Sequence, residues 1–324
     1  MLRFAGAYSV RGELHYGLDD RQFKHAVALA GQWRGASVSI GAFDELRAAG
    51  DAAESSLLAN SISAQEIGVD ESDDFRVAGV ALVASGGTRL RWRATVERSR
   101  ETPVSTHATP FSGTFRPAFA ADDNAGTRAE LRASVSRADG PLGATWDLAS
   151  SVVVRAIDAP ASGARAFATR FARAQATIGA ERALCRGTFV GRVIAASVFG
   201  SAVPGQAGVL FGGTVTAPGY DTHSLRGSAG VTTRLEWRAR VASFPLSLGR
   251  FGSTRVPIVA APFVQGAWIR DAAPASPRPV WFRTIGLGVV SFHDLIRLDL
   301  VRALDAGGRW AIRADFGQGF WPIL

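Results

Sequence analysis

Thiols and lysines are almost missing from this chain. Its 324 residues include one cysteine, Cys185, and one lysine, Lys24, while the rest of the 36 basic residues are arginines. A single cysteine excludes an intrachain disulfide and any zinc or iron–sulfur site built from paired thiolates. The five histidines form no H-x-H or H-x-x-x-H pair, so we expect no metal site.

The common enzyme and cofactor motifs are also missing. The sequence contains no G-x-S-x-G nucleophile elbow, no P-loop, no G-x-G-x-x-G fingerprint and no EF-hand spacing. We therefore expect no cofactor and no enzymatic activity. The net charge is +8, but the arginines are spread along the chain and form no basic run. A nucleic-acid partner is therefore not expected.

Long apolar runs are the third absence. Although 47% of the residues are hydrophobic, no stretch approaches the roughly 20 uncharged apolar residues of a membrane helix. Without such helices a chain can cross a membrane only as a closed β-barrel, because other folds leave backbone polar groups unsatisfied in hydrocarbon. The first residues, M-L-R-F-A-G-A-Y-S, lack the apolar segment of a signal peptide. An exported barrel requires one, so we expect this sequence to be a fragment or to have a misassigned start.

The chain does contain a regular alternation of apolar and charged residues. Successive side chains of a strand point to opposite faces. In residues 231–241 one face carries Val231, Leu235, Trp237, Ala239 and Val241, and the other carries Arg234, Glu236, Arg238 and Arg240. A barrel with lipid outside and a polar lumen inside requires this pattern. The sequence therefore predicts an all-β fold, a transmembrane antiparallel β-barrel.

The alternation recurs along the whole chain and predicts about 16 strands. The candidates are residues 10–16, 24–33, 36–43, 75–83, 89–97, 128–136, 146–156, 165–178, 189–198, 231–241, 256–268, 281–292, 295–301 and 310–320. Residues 56–65 are a weaker strand candidate, residues 2–7 could add another, and residues 44–53 are predicted to form a short surface helix. One domain over residues 1–324 is the simplest organisation.

The connections and the aromatic residues fit the same fold. Gly140-Pro141 and His293-Asp294 are predicted tight turns, whereas residues 99–126, 204–230 and 270–279 are long, polar segments. Short turns on one side and long loops on the other are typical of outer-membrane barrels. Aromatic residues near strand ends favour interfacial girdles, although they also fill soluble β-cores. They are Trp33, Trp146, Trp268, Trp281, Trp310, Phe320 and Trp321.

The second long segment carries a family resemblance. Residues 210–226 read L-F-G-G-T-V-T-A-P-G-Y-D-T-H-S-L-R and lead into the strand V-T-T-R-L-E-W-R. This order resembles the BamA/TamA-type outer-membrane assembly barrels (the bacterial surface antigen superfamily), which have a Gly-Gly pair, an Arg-Gly-aromatic tip and a strand with Glu-x-Arg. The matching positions are Gly212, Gly213, Gly219, Tyr220, Glu236 and Arg238. The resemblance is strongest over residues 165–324.

In that family the loop folds back into the lumen, and its tip arginine pairs with an acidic residue on the barrel wall. Here Pro218 stands at the tip position and Gln265 at the wall position, so both charges are replaced together. We expect a long extracellular loop that enters the lumen and is held by uncharged contacts through Gly219 and Tyr220. Arg226 is a candidate substitute charge. The expected docking wall is Gln265, Glu236, Arg238 and Arg234. The alternative is a loop that stays outside the barrel.

The resemblance also implies a weak seam between the first and last strands, which opens laterally for client strands. The closing strand contains Gly317 and Gly319, which weaken a ladder because they have no side chains to pack. Pro322 follows and cannot donate a ladder hydrogen bond. The expected seam residues are Gly317, Gly319, Phe320 and Trp321.

The resemblance implies a non-enzymatic barrel in the outer membrane of a Gram-negative bacterium, related to proteins that insert or translocate other outer-membrane proteins. The implied partners are outer-membrane lipids, unfolded outer-membrane protein clients and periplasmic POTRA domains, which these 324 residues do not contain. Two alternatives remain. One is a passive channel in which the arginine-lined lumen prefers anions, and the other is a soluble all-β binding protein.

Overall fold

A computed structural model describes residues 2–4, 8–17, 22–50, 52–54, 57–104, 109–117, 119–158, 169–200, 203–247, 249–270, 279–292, 295–305 and 308–316. In these residues fifteen strands form one antiparallel sheet, in the order β1 to β10 and then β13 to β17, while β11 pairs with β12. The strands are β1 (Leu2–Phe4), β2 (Tyr8–Tyr16), β3 (Phe23–Trp33), β4 (Ala36–Ala48), β5 (Asp74–Gly86), β6 (Leu90–Pro103), β7 (Asn124–Asp139), β8 (Thr145–Ile157), β9 (Thr169–Leu184), β10 (Gly187–Gly200), β11 (Val209–Phe211), β12 (Leu225–Gly227), β13 (Ala229–Ser247), β14 (Ser253–Arg270), β15 (Pro279–Ser291), β16 (Ile296–Ala303) and β17 (Trp310–Phe316).

Helical structure is scarce in this part of the chain. One α-helix, α1 (Leu57–Ile67), lies between β4 and β5, and single 3-10 turns cover Pro141–Gly143, Gly205–Ala207 and Gly249–Phe251. Over the described ranges, none of the helices has the length and apolar character needed to cross a membrane.

The connections between neighbouring strands differ between the two ends of the sheet. At one end, here the turn side, they have two to five residues, and at the other end, the loop side, they have six to twenty-eight. The turn between β3 and β4 consists of Arg34 and Gly35, both with positive φ, which is the backbone that a two-residue hairpin requires. The predicted division into short and long connections is confirmed.

The two faces of the sheet differ in polarity, as the alternation predicts. On β13 Leu235 points to the outer face and is 48% exposed, whereas its neighbour Glu236 points to the inner face and is 3% exposed. Leu235 pairs across to Val264 of β14, which is 53% exposed. Apolar residues thus cover the outer face, while carboxylates and arginines are buried on the inner face. This is the polarity of a transmembrane barrel.

The tryptophans lie where the girdle prediction puts them. Trp33 lies beside the turn-side connection of β3. Trp310 is the first residue of β17 and Trp281 the third residue of β15, both at the loop side. All three are more than 60% exposed on the outer face. Trp146 and Trp268 are half-buried, and Phe320 and Trp321 lie outside the described residues.

The sheet curls around the long connection between β10 and β13. Helix α1, which precedes β5, contacts the last strand β17, and Arg313 of β17 is 2.8 Å from Glu71, which also precedes β5. Early and late parts of a linear strand order therefore meet across a central space. The strands form an antiparallel β-barrel, and the paired order runs from β1 to β17 in the residues that the structure describes.

Three predictions about local structure are wrong. The predicted helix over residues 44–53 is not formed, because residues 44–48 are the end of β4. Asp44 pairs with Ala78 in the β4–β5 ladder, and its carboxylate binds Arg76. The weak strand over residues 56–65 is instead α1, built from helix-forming Leu, Ala, Gln and Glu residues. The predicted long loop over residues 99–126 is shorter, since β6 extends to Pro103 and β7 begins at Asn124.

Candidate functional site

The candidate site is a hairpin inside the lumen, formed by β11 and β12. Leu210 pairs with Arg226 in this ladder. Because neighbouring side chains alternate, Phe211 packs in one buried cluster with Phe171 and Ile269, whereas Leu210 packs in another. Both are at most 1% exposed. The hairpin is therefore wedged between opposite parts of the barrel wall, so the predicted entry of the loop into the lumen is confirmed.

The tip of the hairpin depends on glycines with positive φ. Gly213 has φ +102° and Gly219 has φ +88°, a region that costs other residues free energy. A Cβ on Gly213 would lie 2.8 Å from Glu54, and one on Gly219 would lie 2.9 Å from the Cβ of Ala303. Gly212 also has a positive φ. The tip thus combines a backbone conformation that favours glycine with close packing against the wall.

The wall binds the tip through uncharged groups. Gln265 of β14 donates from Nε2 to the carbonyl oxygens of Val215 (2.7 Å) and Thr216 (2.8 Å). Thr232 of β13 donates its hydroxyl to the same Thr216 oxygen at 2.7 Å. Thr284 of β15 donates to the carbonyl of Pro218 at 2.8 Å. Three adjacent strands therefore hold the tip by its backbone carbonyls, which requires no charge on either partner.

Glu54, in the connection between β4 and β5, binds the opposite side of the tip. Its carboxylate accepts hydrogen bonds from the backbone N–H groups of Val215 (2.6 Å) and Thr216 (3.1 Å) and from the Thr216 hydroxyl. Glu54 is 3% exposed. This burial raises the pKa of Glu54 to about 7, against the hydrogen bonds from the tip, which act to lower it. The tip is thus held between a titratable carboxyl and an amide.

Tyr220 closes the tip against β15 and β16. Its ring makes an edge contact with Phe282 at a centroid distance of 5.2 Å, and its hydroxyl accepts the Asp305 N–H at 3.3 Å. The residue is 3% exposed, and burial raises the pKa of its hydroxyl. Next to it, the Gly219 carbonyl accepts the Arg309 N–H at 3.2 Å.

A buried hydrogen bond between side chains ties the descending half of the hairpin to the start of β5. His223 Nδ1 is 2.6 Å from the Asp73 carboxylate, which also binds Arg116 at 2.7 Å. Burial acts to raise the pKa of Asp73, but the hydrogen bonds from His223 and Arg116 outweigh it and leave that pKa below its ordinary value. His223 and Asp73 are both under 4% exposed, so the pair is a second anchor for the hairpin.

Below the tip, the remaining predicted wall residues form an ionic network. Glu236 accepts from Arg238 (2.7 Å), Arg234 (2.9 Å) and Arg297 (2.7 Å). Asp299 accepts from Arg297 at 2.8 Å. The network lines a cavity of about 190 Å³ together with Thr214 and Val215 of the tip. The structure brings Gln265 into contact with the tip and places Arg234, Glu236 and Arg238 beneath it.

The structure describes no contact between the tip and either Arg226 or the predicted seam residues. Arg226 lies 5.3 Å above the ring of Phe119 and donates to the His223 carbonyl at 3.2 Å, so its charge is on the loop side, away from the tip. The expected seam residues Gly317, Gly319, Phe320 and Trp321 lie outside the described residues. Within the residues that the structure describes there is no cluster of three His, Cys, Asp or Glu residues able to bind a metal.

Sequence reasoning missed Glu54, Thr232 and Thr284. Thr232 and Glu236 are separated by an even number of residues on β13, so alternation placed both in the lumen and was a usable signal. Thr284 likewise lies on the inner face of β15, being 3% exposed. Glu54 had no signal, because its contact with Thr216 spans 162 residues.

The fold is similar to a known barrel although the sequence is not. No protein-family model matches the chain, and no curated protein matches it. Among solved structures, BamA from Haemophilus ducreyi lacking POTRA domains 1–3 is similar in fold. Its TM-score is 0.51 at 8% sequence identity, and the match covers 95% of this chain and 70% of that one.

Proposed function

We propose that this chain is the barrel of a Gram-negative outer-membrane protein that inserts or translocates other outer-membrane proteins. The observation that carries the proposal is the docked tip. The connection between β10 and β13 enters the lumen and binds Gln265, the wall position at which the sequence resemblance expects the docking contact. The likeness in fold to BamA supports the same assignment.

The outer face supports outer-membrane lipids as partners. Leu235, Val264 and Ile285 are about half exposed at the middle of adjacent strands, where only hydrocarbon would compensate for their exposure. A tilted strand needs about 9–11 residues to cross a bilayer. Strands β13 and β14 have 19 and 18 residues, so they extend beyond the hydrocarbon on at least one side.

The proposed entry point for a client strand is the edge between β1 and β17, including Gly317, Gly319, Phe320 and Trp321. Exposed strand edges offer unpaired N–H and C=O groups that template another strand. The hairpin contributes by filling the loop-side half of the lumen, so that clients are directed to the edge and not through an open pore. Periplasmic domains would deliver clients to this edge.

Reconstitution tests the proposal. The chain is inserted into liposomes, and the folding of a urea-unfolded eight-stranded barrel is followed by its heat-modifiable gel shift. We expect faster client folding than in empty liposomes. A passive porin in equal amount is the control for membrane defects. Client folding no faster than with the porin would contradict the proposal.

A passive anion-preferring channel is the second candidate, because arginines outnumber carboxylates on part of the lumen wall. Planar-bilayer recording separates the two functions. A hairpin-filled barrel gives rare or absent conductance, whereas a channel gives a steady, anion-selective open level.

A further inference from the structure

The lumen contains a second feature, a large chamber between β4 and β9. Its volume is about 920 Å³, within the roughly 300–1,000 Å³ of small-molecule sites. Seven arginines line it against two glutamates. Gln206 and Ala207, which precede the hairpin, line its loop-side end. The chamber is therefore a polar space with a surplus of positive charge.

At the loop-side end of the chamber the arginines are neutralised. Glu97, Arg128 and Arg155 are direct partners across β6, β7 and β8. Arg155 is 2.8 Å from Glu101, and Glu97 accepts two hydrogen bonds from Arg47, at 2.7 and 2.8 Å. Each guanidinium at this end of the chamber is paired with a carboxylate. These residues therefore form a structural ion-pair network that needs no ligand.

Toward the turn side the balance changes. Arg93 and Arg132 are directly opposite each other in the β6–β7 ladder. Like charges in this position destabilise a sheet. Arg132 shares the Glu130 carboxylate with Arg128, at 2.7 and 3.1 Å. Arg93 has no ion-pair partner among the residues that the structure describes.

Neutral hydrogen-bonding side chains follow Arg93 and Arg132 at the same height on the next strands of the wall. The register joins Arg132 to Ser151 on β8 and Ser151 to Gln175 on β9. One level nearer the turns, Arg91 pairs across to Ser134 and donates to the Ser136 hydroxyl at 2.6 Å. Of Arg91, Arg93 and Arg132, only Arg132 contacts a carboxylate in the described residues, and it shares that carboxylate with Arg128.

The surplus of arginine over carboxylate is smaller in the other half of the lumen. There, Arg234, Arg238 and Arg297 surround Glu236 and Asp299 in a small cavity of about 190 Å³. Each arginine in that network touches a carboxylate. Arg192, Arg313 and Asp315 also line this cavity, so five arginines face three carboxylates there, against seven arginines and two carboxylates in the chamber.

We propose that the chamber binds a soluble polyanion with at least two phosphate groups, held by Arg91, Arg93 and Arg132. A guanidinium binds phosphate oxygens in pairs, and opposed arginines about 5 Å apart at Cβ can each take a different phosphate. Ser151 and Gln175 supply neutral hydrogen bonds. A wall of paired strands separates the chamber from the lipid-facing surface, which favours a soluble phosphate ester over a lipid headgroup. The site is independent of the proposed assembly function.

Calorimetric titration with tripolyphosphate tests the proposal, using the purified chain in a non-ionic detergent. We expect saturable binding of one ligand per barrel that weakens as salt increases. The double variant Arg93→Gln/Arg132→Gln should lose affinity about 10- to 100-fold, since hydrogen bonds to charged groups are lost. The matched control is Arg182→Gln/Arg186→Gln, which removes the same charge from exposed positions near the β9–β10 turn and should bind as the parent does. A heat-modifiable gel shift checks that each variant is folded.

Three results would overturn the proposal. The first is no saturable binding by the folded parent. The second is an equal loss in the control variant, which would mean that general surface charge attracts the ligand. The third is competition by phosphatidylglycerol, and not by phosphatidylcholine, in nanodiscs, which would make a lipid headgroup the ligand.

Discussion

Glu54 is the residue whose replacement tests the docked hairpin most sharply. Its carboxyl group receives three hydrogen bonds from Val215 and Thr216. Glu54→Ala leaves the two backbone N–H groups without an acceptor, while the Thr216 hydroxyl can still donate to the Gly212 carbonyl at 3.2 Å. Each unsatisfied buried group costs about 1–3 kcal/mol. Even at the lower end the two together cost about 2 kcal/mol, which is roughly a 30-fold shift of the docking equilibrium toward the undocked hairpin.

The pH dependence of docking follows from the raised pKa. When the hairpin is docked the pKa of Glu54 is about 7, and when it is undocked the pKa returns toward 4.5. Because its pKa is higher in the docked state, protonated Glu54 contributes to the free energy of docking. This contribution is fully present below pH 4.5 and is lost as the pH rises to 7. The loss reaches about 3 kcal/mol. Glu54→Gln keeps an acceptor but has no charge, so its docking should not change with pH.

Thiol labelling measures the equilibrium. Ala217→Cys at the tip, where the native residue is 2% exposed, is the reporter in a Cys185→Ser background. Ser224→Cys, at an exposed position of the same connection, is the control, and rates are taken as the ratio of the two to cancel thiol ionisation. We expect faster tip labelling in Glu54→Ala at pH 6, and faster labelling of the parent at pH 8.5 than at pH 5. Equal ratios for Glu54→Ala and the parent would refute the reasoning.

Four further predictions use the same framework. Gln265→Glu places an unpaired charge against two carbonyls and should weaken docking by about 3–5 kcal/mol, seen as faster tip labelling. Gly219→Ala should do the same through strain and its contact with the wall, whereas Gly252→Ala, with a similar φ of +90° and open space, should not. Leu235→Arg on the outer face should lower the unfolding free energy in liposomes by about 2–4 kcal/mol. Glu236→Gln removes the carboxylate that Arg238 contacts and leaves Arg234 and Arg297 with Asp299 alone, and should lower the same free energy by about 1–3 kcal/mol.

The strand pattern was predictable because it depends on local chemistry. The alternation along residues 231–241 fixes which side chains face the lumen, and the barrel places Glu236 inside and Leu235 outside accordingly. The end of β4 was not predictable in the same way. Its charges, Asp44 and Glu45, resemble an exposed helix face unless the ion pairs with Arg76 and Arg47 are known.

The residues of the candidate site also fall into two groups, those that the sequence predicted and those that depend on long-range contacts. Gly219, Tyr220 and Gln265 were found because the resemblance supplied their order. Glu54 and the pair of Asp73 with His223 come from contacts between distant segments, and nothing in their local sequence marks them. Long-range contacts that depend on how the sheet curls cannot be derived from alternation.

The measurement that tests the transmembrane barrel most directly is a spin-label accessibility scan. Single cysteines are placed at each position from 231 to 241 in the Cys185→Ser background, and the chain is reconstituted in lipid bilayers. Labels at Leu235 and Trp237 should collide with oxygen, which partitions into hydrocarbon, and those at Arg234 and Glu236 should not, giving a period of two. A scan without that period, or labels at Leu235 and Trp237 that collide instead with a water-soluble nickel complex, would contradict a lipid-facing exterior.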